Sequence, residues 1–227
     1  VVLWGVFCLL LPRIAVESAN HEEPLPSRGE FMRKVQVSLE KGIDGKASRE
    51  DAVDALFKDI LAKQGFANAG FMLDPAIESG AELRAEAQWE DMVFDHHIGE
   101  LNAAIQRQES HYAGYAWLSP YLAMSVVSKA LCGTDYAHHQ DFSRRAERWR
   151  KDFVEMLNQS FAKQAGAEGW NYKAGPELWS KAPPFTYRSP SIGFAINQVK
   201  PQLSALAVWL ILCFGLAMVC TRRMKVV

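Results

Sequence analysis

The sequence predicts an all-α protein: a helical extracytoplasmic domain flanked by transmembrane helices, with an irregular Gly/Pro/aromatic segment before the last span. Three observations predict it. The 227 residues are 49% hydrophobic, but the apolar ones concentrate at Val1–Leu11 and Leu203–Cys220. The middle carries apolar residues at helical spacing, with no convincing alternation of the strand kind. Between residues 166 and 202, Gly, Pro and aromatic residues replace that periodicity.

The end segments set the organisation. Leu203 to Cys220 is a run of roughly 18 residues without a charge, about what a helix needs to cross the hydrocarbon core. Arg222, Arg223 and Lys225 follow at once, and cations hard against a span mark the cytoplasmic side. This places 221–227 as a cytoplasmic tail and the residues before Pro201 outside. A buried core helix is the alternative, and a costly one for so long a charge-free run. The first segment, VVLWGVFCLLL, meets Pro12-Arg13 after 11 residues, too few to span. Residues 1–19 therefore read as the end of a truncated membrane helix and its exit. A clipped signal-peptide apolar region is the runner-up, although no basic segment precedes it.

Residues 20–165 read as the helical extracytoplasmic domain. Glu22 to Arg28 is a polar exit broken by Pro24 and Pro26. Gly29 to Lys41 carries Phe31, Val35 and Leu39 at spacings of four. Ser48 to Asp51 resembles a capping box with Asp in place of Glu. Behind it Val53, Leu56, Phe57, Ile60 and Leu61 form an apolar stripe that Gly65 ends. After a short loop around Asp74-Pro75, Ala81 to Trp117 reads as one long helix, its face running through Leu83, Trp89, Met92, Val93, Leu101 and Ile105. Ser119-Pro120 breaks that run and starts a helix to Leu131, because Pro is tolerated in a first turn. Gly133-Thr134-Asp135 is a stop and restart: Gly closes one helix, and Thr or Asp caps the next. Tyr136 to about Lys163 carries Phe142, Ala146, Trp149, Phe153, Met156, Leu157 and Phe161 as a stripe. The aromatic stretch 166–202 reads as an extended strap on the domain or at a membrane surface. A disordered tether suits so many aromatics less well.

Several function classes are excluded or weakened. A formal net charge of −1 and no long basic run argue against a nucleic-acid partner. Of four cysteines, Cys8, Cys213 and Cys220 lie in the apolar ends and Cys132 in the middle, so the exported part has no pair for a disulfide. There is no Walker A pattern and no G-x-G-x-x-G. Ser119, Ser125 and Ser128 lack a nucleophile-elbow context. His96, His97 and Glu100, and His138-His139 near Asp135 and Asp141, place imidazole and carboxylate within a helical turn, a spacing that can share a metal. Without HExxH or paired Cys, surface or interhelical hydrogen bonding is the expected role. The expectation is therefore no catalytic, cofactor or metal residue. In the cluster Arg144 to Asp152, Glu147 and Lys151 stand in the supportive i, i+4 orientation. The cluster reads as a solvated face or a partner-docking surface.

The series Ser119-Pro120-Tyr121-Leu122-Ala123, Ser128, Leu131-Cys132-Gly133-Thr134-Asp135, His138, Phe142 and Ala146-Glu147-Arg148-Trp149-Arg150 resembles the extracytoplasmic region of bacterial ABC-2-type permeases of the DUF3526 family. Leu3-Trp4, Leu11-Pro12-Arg13, Pro24-Leu25-Pro26-Ser27-Arg28 and Glu30-Phe31 agree with it, so the likeness covers nearly the whole chain. Such permeases carry several further membrane helices upstream. The resemblance therefore implies the C-terminal part of a polytopic inner (plasma) membrane protein. It implies a permease subunit that supplies the extracytoplasmic domain and last span, with a separate cytoplasmic ABC ATPase, membrane lipid and a second permease copy as partners. It brings no catalytic residues. Gly133, Thr134 and Asp135 are explained as a helix-to-helix corner, and Glu147 with Arg150 as a buried or semi-buried polar tie. The alternatives are a single-span, membrane-anchored binding or sensor module and a membrane-tethered enzyme built on the histidines.

Overall fold

The computed structural model describes residues 2–66 and 75–223, and among them the fold is all-α, with one isolated bridge between Gly42 and Ser48 in place of any strand. Helix α1 runs from Val2 to Glu22, α2 from Arg28 to Lys41 and α3 from Arg49 to Lys63. Helix α4 spans Pro75–Gly114 and ends in a 3₁₀ turn, Tyr115–Trp117. Helices α5 (Pro120–Leu131) and α6 (Tyr136–Gln164) follow. After a 3₁₀ segment at Gly166–Asn171 come the single turn α7 (Pro176–Trp179), the short α8 (Ile192–Gln198) and α9 (Lys200–Arg223).

The elements form two compact units. One contains Val1–Leu25, Asn102–Ser143 and Tyr187–Val227; the other contains Pro26–Leu101 and Arg144–Thr186. Residues 20–165 are thus distributed over both units.

In the first unit, α1 overturns the expectation that the chain leaves its apolar segment at Pro12. The helix continues to Glu22, because residues Val6–Leu10 form a π turn. Proline has no N–H, and its ring crowds the carbonyl four residues back. The wider turn avoids that crowding, and the Leu11 N–H reaches the Val6 carbonyl instead. With 21 residues in α1 and 24 in α9, the described residues hold two helices long and apolar enough to cross a membrane. Leu210, Ile211, Phe214 and Leu216 on α9 are bare. Small residues set the packing beside them: Ala116, Ala123 and Ala205 are fully buried together, and Val127, Ala130, Ala195 and Val199 form a second cluster. Helix α9 starts at Lys200 rather than at residue 203, with Pro201 in its first turn, and continues through Thr221 to Arg223. Residues 224–227 of the expected tail lie outside the described residues.

The second unit's core uses the predicted α2 and α3 stripes, but of the predicted α4 face only Trp89 and Val93 are in it: Met92 is exposed, and the small residues Ala81 and Ala85 let the helices approach there instead. Val35, Ile43, Trp89 and Val93 form one cluster, with Phe31, Leu39, Val53 and Leu56 against it. Ile60, Leu61, Ala81 and Ala85 form the other, flanked by Phe57, Phe66 and Ile77. Within this unit the early turns of α4 and the later turns of α6 run antiparallel. A Cβ added to Gly80 would lie 2.3 Å from that of Ala162, so glycine permits the close approach. The long helix begins at Pro75, not Ala81, since Pro suits a first turn; Asp74 of the expected loop lies outside the described residues. Ser48 caps α3 by accepting from the Asp51 N–H at 3.3 Å. Asp51 is too short to complete the box and bonds the Ser48 hydroxyl instead. A full capping box stands at Ser27 and Glu30: the Glu30 N–H donates to Ser27 Oγ at 3.2 Å, and the Ser27 N–H donates to Glu30 Oε2 at 2.8 Å. These hydrogen bonds hold the Glu30 carboxyl below its ordinary range. The irregular segment combines short helices and turns with a run over 183–191 that lies in no helix or turn, with proline at the start of α7 and Ser191 preceding α8.

Candidate functional site

Seven of the nine motif residues picked from the sequence lie in the first unit, where they build a junction and a corner. At the junction, Ser119 caps α5: its Oγ accepts from the Leu122 N–H at 3.3 Å. Its hydroxyl donates to the Phe7 carbonyl at 2.9 Å. That acceptor is orphaned for a covalent reason. In the π register the Phe7 carbonyl would receive the N–H of residue 12, and residue 12 is proline. Ser119 is fully buried. Around it, Phe7 meets Trp209 edge to face at 5.4 Å, and Trp209 Nε1 donates to the Trp117 carbonyl at 3.2 Å. Pro120 opens α5 in the first turn. One serine thus joins α1 to α5, and one tryptophan joins α9 to the turn just before α5.

At the corner, Gly133 takes φ +68°, the left-handed conformation that ends a helix without a Cβ penalty. The Thr134 N–H returns to the Lys129 carbonyl at 2.9 Å, and the Gly133 N–H to that of Ala130 at 3.2 Å. Of the two candidate caps for α6, Asp135 is the one used. Its Oδ1 accepts from the His138 N–H at 3.1 Å and also meets His138 Nδ1. Thr134 turns its hydroxyl to the Lys129 carbonyl. His138 is buried and presents its ring edge-on to Phe194 at 5.2 Å. Phe142 meets Tyr187 at 5.1 Å, and Tyr187 donates to Asp141 Oδ2 at 3.3 Å. The corner therefore grips the segment after α7 from two directions. Tyr136, which donates to Asn102 Oδ1 at 2.5 Å, has its phenol pushed above the usual range by burial, with Glu109 adding to the shift.

Glu147 and Arg150 lie in the second unit. Arg150 Nε bonds both Glu147 oxygens, at 2.9 and 3.0 Å, and its Nη2 reaches Asp91 on α4. These carboxylates hold its proton more firmly still. Lys151 is not the partner of Glu147, as the i, i+4 spacing suggests; its Nζ bonds Asp95 Oδ2 at 2.6 Å. Arg84 bonds Glu155 at 3.0 Å. The basic cluster is therefore turned partly onto α4: Arg150 divides between Glu147 on its own helix and Asp91, and Lys151 goes to Asp95. Beside α3, an open groove of about 590 Å³ is rimmed by Glu50, Glu78 and Glu82, floored by Val53, Phe57 and Leu83, and bordered by Trp170. Arg49 and Glu86 pair at 2.7 Å along it.

The histidines separate. His138 belongs to the corner, and His139 lies on the exposed face near Ser143. His97 is 8% exposed, and its Nε2 lies 2.8 Å from Ser38 Oγ, the interhelical bond expected of it. Sequence reasoning missed the acceptor of Ser119. The signal was there in the run Phe7 to Pro12, since a proline inside a helix always orphans a carbonyl one turn back.

Across residues 75–188 the chain matches the family model described as "Domain of unknown function (DUF3526)". That stretch begins with α4, contains all nine motif residues and ends just beyond Tyr187. No curated protein and no solved structure matches the chain.

Proposed function

This chain belongs to the DUF3526 family, and from that premise we propose that it is a permease subunit of an ABC-2-type transporter, carrying an extracytoplasmic helical domain between two membrane spans. A separate cytoplasmic ATPase supplies the nucleotide hydrolysis, and the protein sits in the inner (plasma) membrane.

The observation that carries this reading is how the two apolar helices end. Near the close of α1, Asn20 Oδ1 accepts from Gln108 Nε2 at 2.9 Å. Near the start of α9, Gln202 Nε2 donates to the Ala113 carbonyl at 3.4 Å. Both polar ends thus attach to the last turns of α4, which supports two antiparallel spans opening on the same side. The cations Arg222 and Arg223 lie at the far end of α9, where the positive-inside rule puts the cytoplasm. Two helices that cross the bilayer beside each other suit a component of a membrane path better than a simple tether. The Phe7–Ser119–Trp209 junction then lies where movement of a span would reach α5, and through the corner, the segment after α7.

The test is capture of the full-length protein from native membranes in mild detergent. A P-loop ATPase recovered in stoichiometric amount is the expected result. Its absence, with other membrane complexes intact, sinks the permease reading in favour of a membrane-anchored binding or sensor module.

A further inference from the structure

His96, His97 and Glu100 are adjacent on α4 within the second unit, and three distances set them apart from an ordinary polar cluster. His97 Nδ1 lies 3.5 Å from Glu100 Oε2. His96 Nε2 lies 3.6 Å from the other oxygen, Oε1. One ligand atom from each residue falls within 4.8 Å of the other two. Among the described residues this is the one group of three such side chains that converges so closely.

The spacing is informative. A direct N–H···O hydrogen bond spans about 2.7–3.2 Å, so 3.5 and 3.6 Å are too long for one. Around a tetrahedral ion with bonds of about 2.0–2.1 Å, neighbouring ligand atoms lie about 3.3–3.4 Å apart. The observed separations are within a few tenths of an ångström of that. The two carboxylate oxygens face different imidazoles, so a small rotation of the Glu100 side chain suffices to offer one of them. That side chain is largely exposed and free to turn.

The orientation of His97 is fixed from behind. Its Nε2 lies 2.8 Å from Ser38 Oγ on α2, in a buried contact. A histidine ligand characteristically engages its second ring nitrogen with a protein oxygen, which sets the tautomer and aims the ligating lone pair. Here that leaves Nδ1 facing Glu100. The His96 ring stands at 67° to that of His97, with centroids 5.0 Å apart, so the two donors converge without stacking.

We propose that His96 Nε2, His97 Nδ1 and the Glu100 carboxylate form a binding site for a divalent transition-metal cation of the zinc class, with the remaining coordination position open to water or an external ligand. Two imidazoles and one carboxylate favour zinc, nickel or copper over magnesium or calcium, which take oxygen ligands. The proposal stands independently of the permease reading, since every group it uses belongs to this chain's second unit.

The experiment is calorimetric titration of the full-length protein, purified in detergent and stripped with chelator, using Zn²⁺ alone as the probe. The wild type is expected to take up one Zn²⁺ per chain at this site, and His96→Ala and Glu100→Gln each to weaken that uptake by more than about tenfold. Neither side chain is buried, so circular dichroism should leave both variants folded; His97→Ala is avoided because it would also open the packing beside Ser38. No stoichiometric uptake by the wild type overturns the proposal. So does an affinity unchanged in both variants, which would assign the metal to other groups such as the cysteines.

Discussion

Replacing Ser119 by alanine should destabilise the first unit far more than loss of one exposed hydroxyl would. The hydroxyl satisfies two groups at once, the buried Leu122 N–H and, in a part-buried contact, the Phe7 carbonyl. Losing a helix N-cap costs about 1 kcal/mol. Leaving a buried carbonyl unpaired costs about 1–3 kcal/mol. Ser119→Ala should therefore lower stability by about 2–4 kcal/mol. The reasoning makes a sharper claim, that this cost depends on Pro12. In a Pro12→Ala background residue 12 regains its N–H, so the preceding turn can satisfy its own carbonyls and relax toward the α register. There Ser119→Ala should cost only the cap, about 1 kcal/mol, a coupling of about 1–3 kcal/mol between residues far apart in sequence. The assay is denaturant unfolding in detergent micelles for the four members of the cycle, followed by tryptophan fluorescence. Trp209, one of the seven tryptophans, packs on Phe7 and contributes to that signal. Equal costs for Ser119→Ala in both backgrounds would refute the idea that Pro12 orphans the acceptor that Ser119 satisfies.

Three further outcomes are expected. Gly80→Ala forces a Cβ to 2.3 Å from that of Ala162, so α4 and α6 must separate locally; a loss of about 1–3 kcal/mol should appear as a lowered thermal midpoint. Gly133→Ala places a side chain at φ +68° and should cost about 1–2 kcal/mol, while Gly133→Asn should cost less, since Asn tolerates that conformation; thermal unfolding distinguishes them. Tyr136 should ionise above the ordinary phenol value near 10, because burial disfavours its anion. Its contribution to stability is then complete below about pH 10 and lost as pH rises through the raised folded value; ultraviolet titration of wild type against Tyr136→Phe measures the shift.

Where local chemistry decided the outcome, the sequence was legible. The α3 stripe from Val53 to Leu61 was readable because a helix repeats every 3.6 residues, and it packs into the second unit's core. The stop at Gly133 was readable because the left-handed conformation that ends a helix there favours glycine over residues with a Cβ. What followed it was narrowed to Thr134 or Asp135, and the choice fell to Asp135 because its carboxylate serves both the N–H and the ring of His138. Helix α9 was evident as an apolar helix long enough to cross a membrane from its uncharged run of roughly 18 residues.

Other features depended on neighbours that the linear chain does not identify. Pro12 reads as the end of a helix, yet α1 continues, because a π turn removes the clash and Ser119 supplies the missing donor from more than a hundred residues away. Lys151 has a suitable partner at i−4, yet bonds Asp95 on α4, because the antiparallel approach of two helices brings that carboxylate closer. That approach rests on Gly80 facing Ala162, a fact about two helices and not one. The sequence by itself thus determined most of the helices, the glycine stop at Gly133 and the uncharged run of α9, all set by interactions within a few residues. Tertiary structure decided which orphaned carbonyl meets which hydroxyl, which charges pair and which histidine edge is free, because each of these is settled by distance in space between groups remote along the chain.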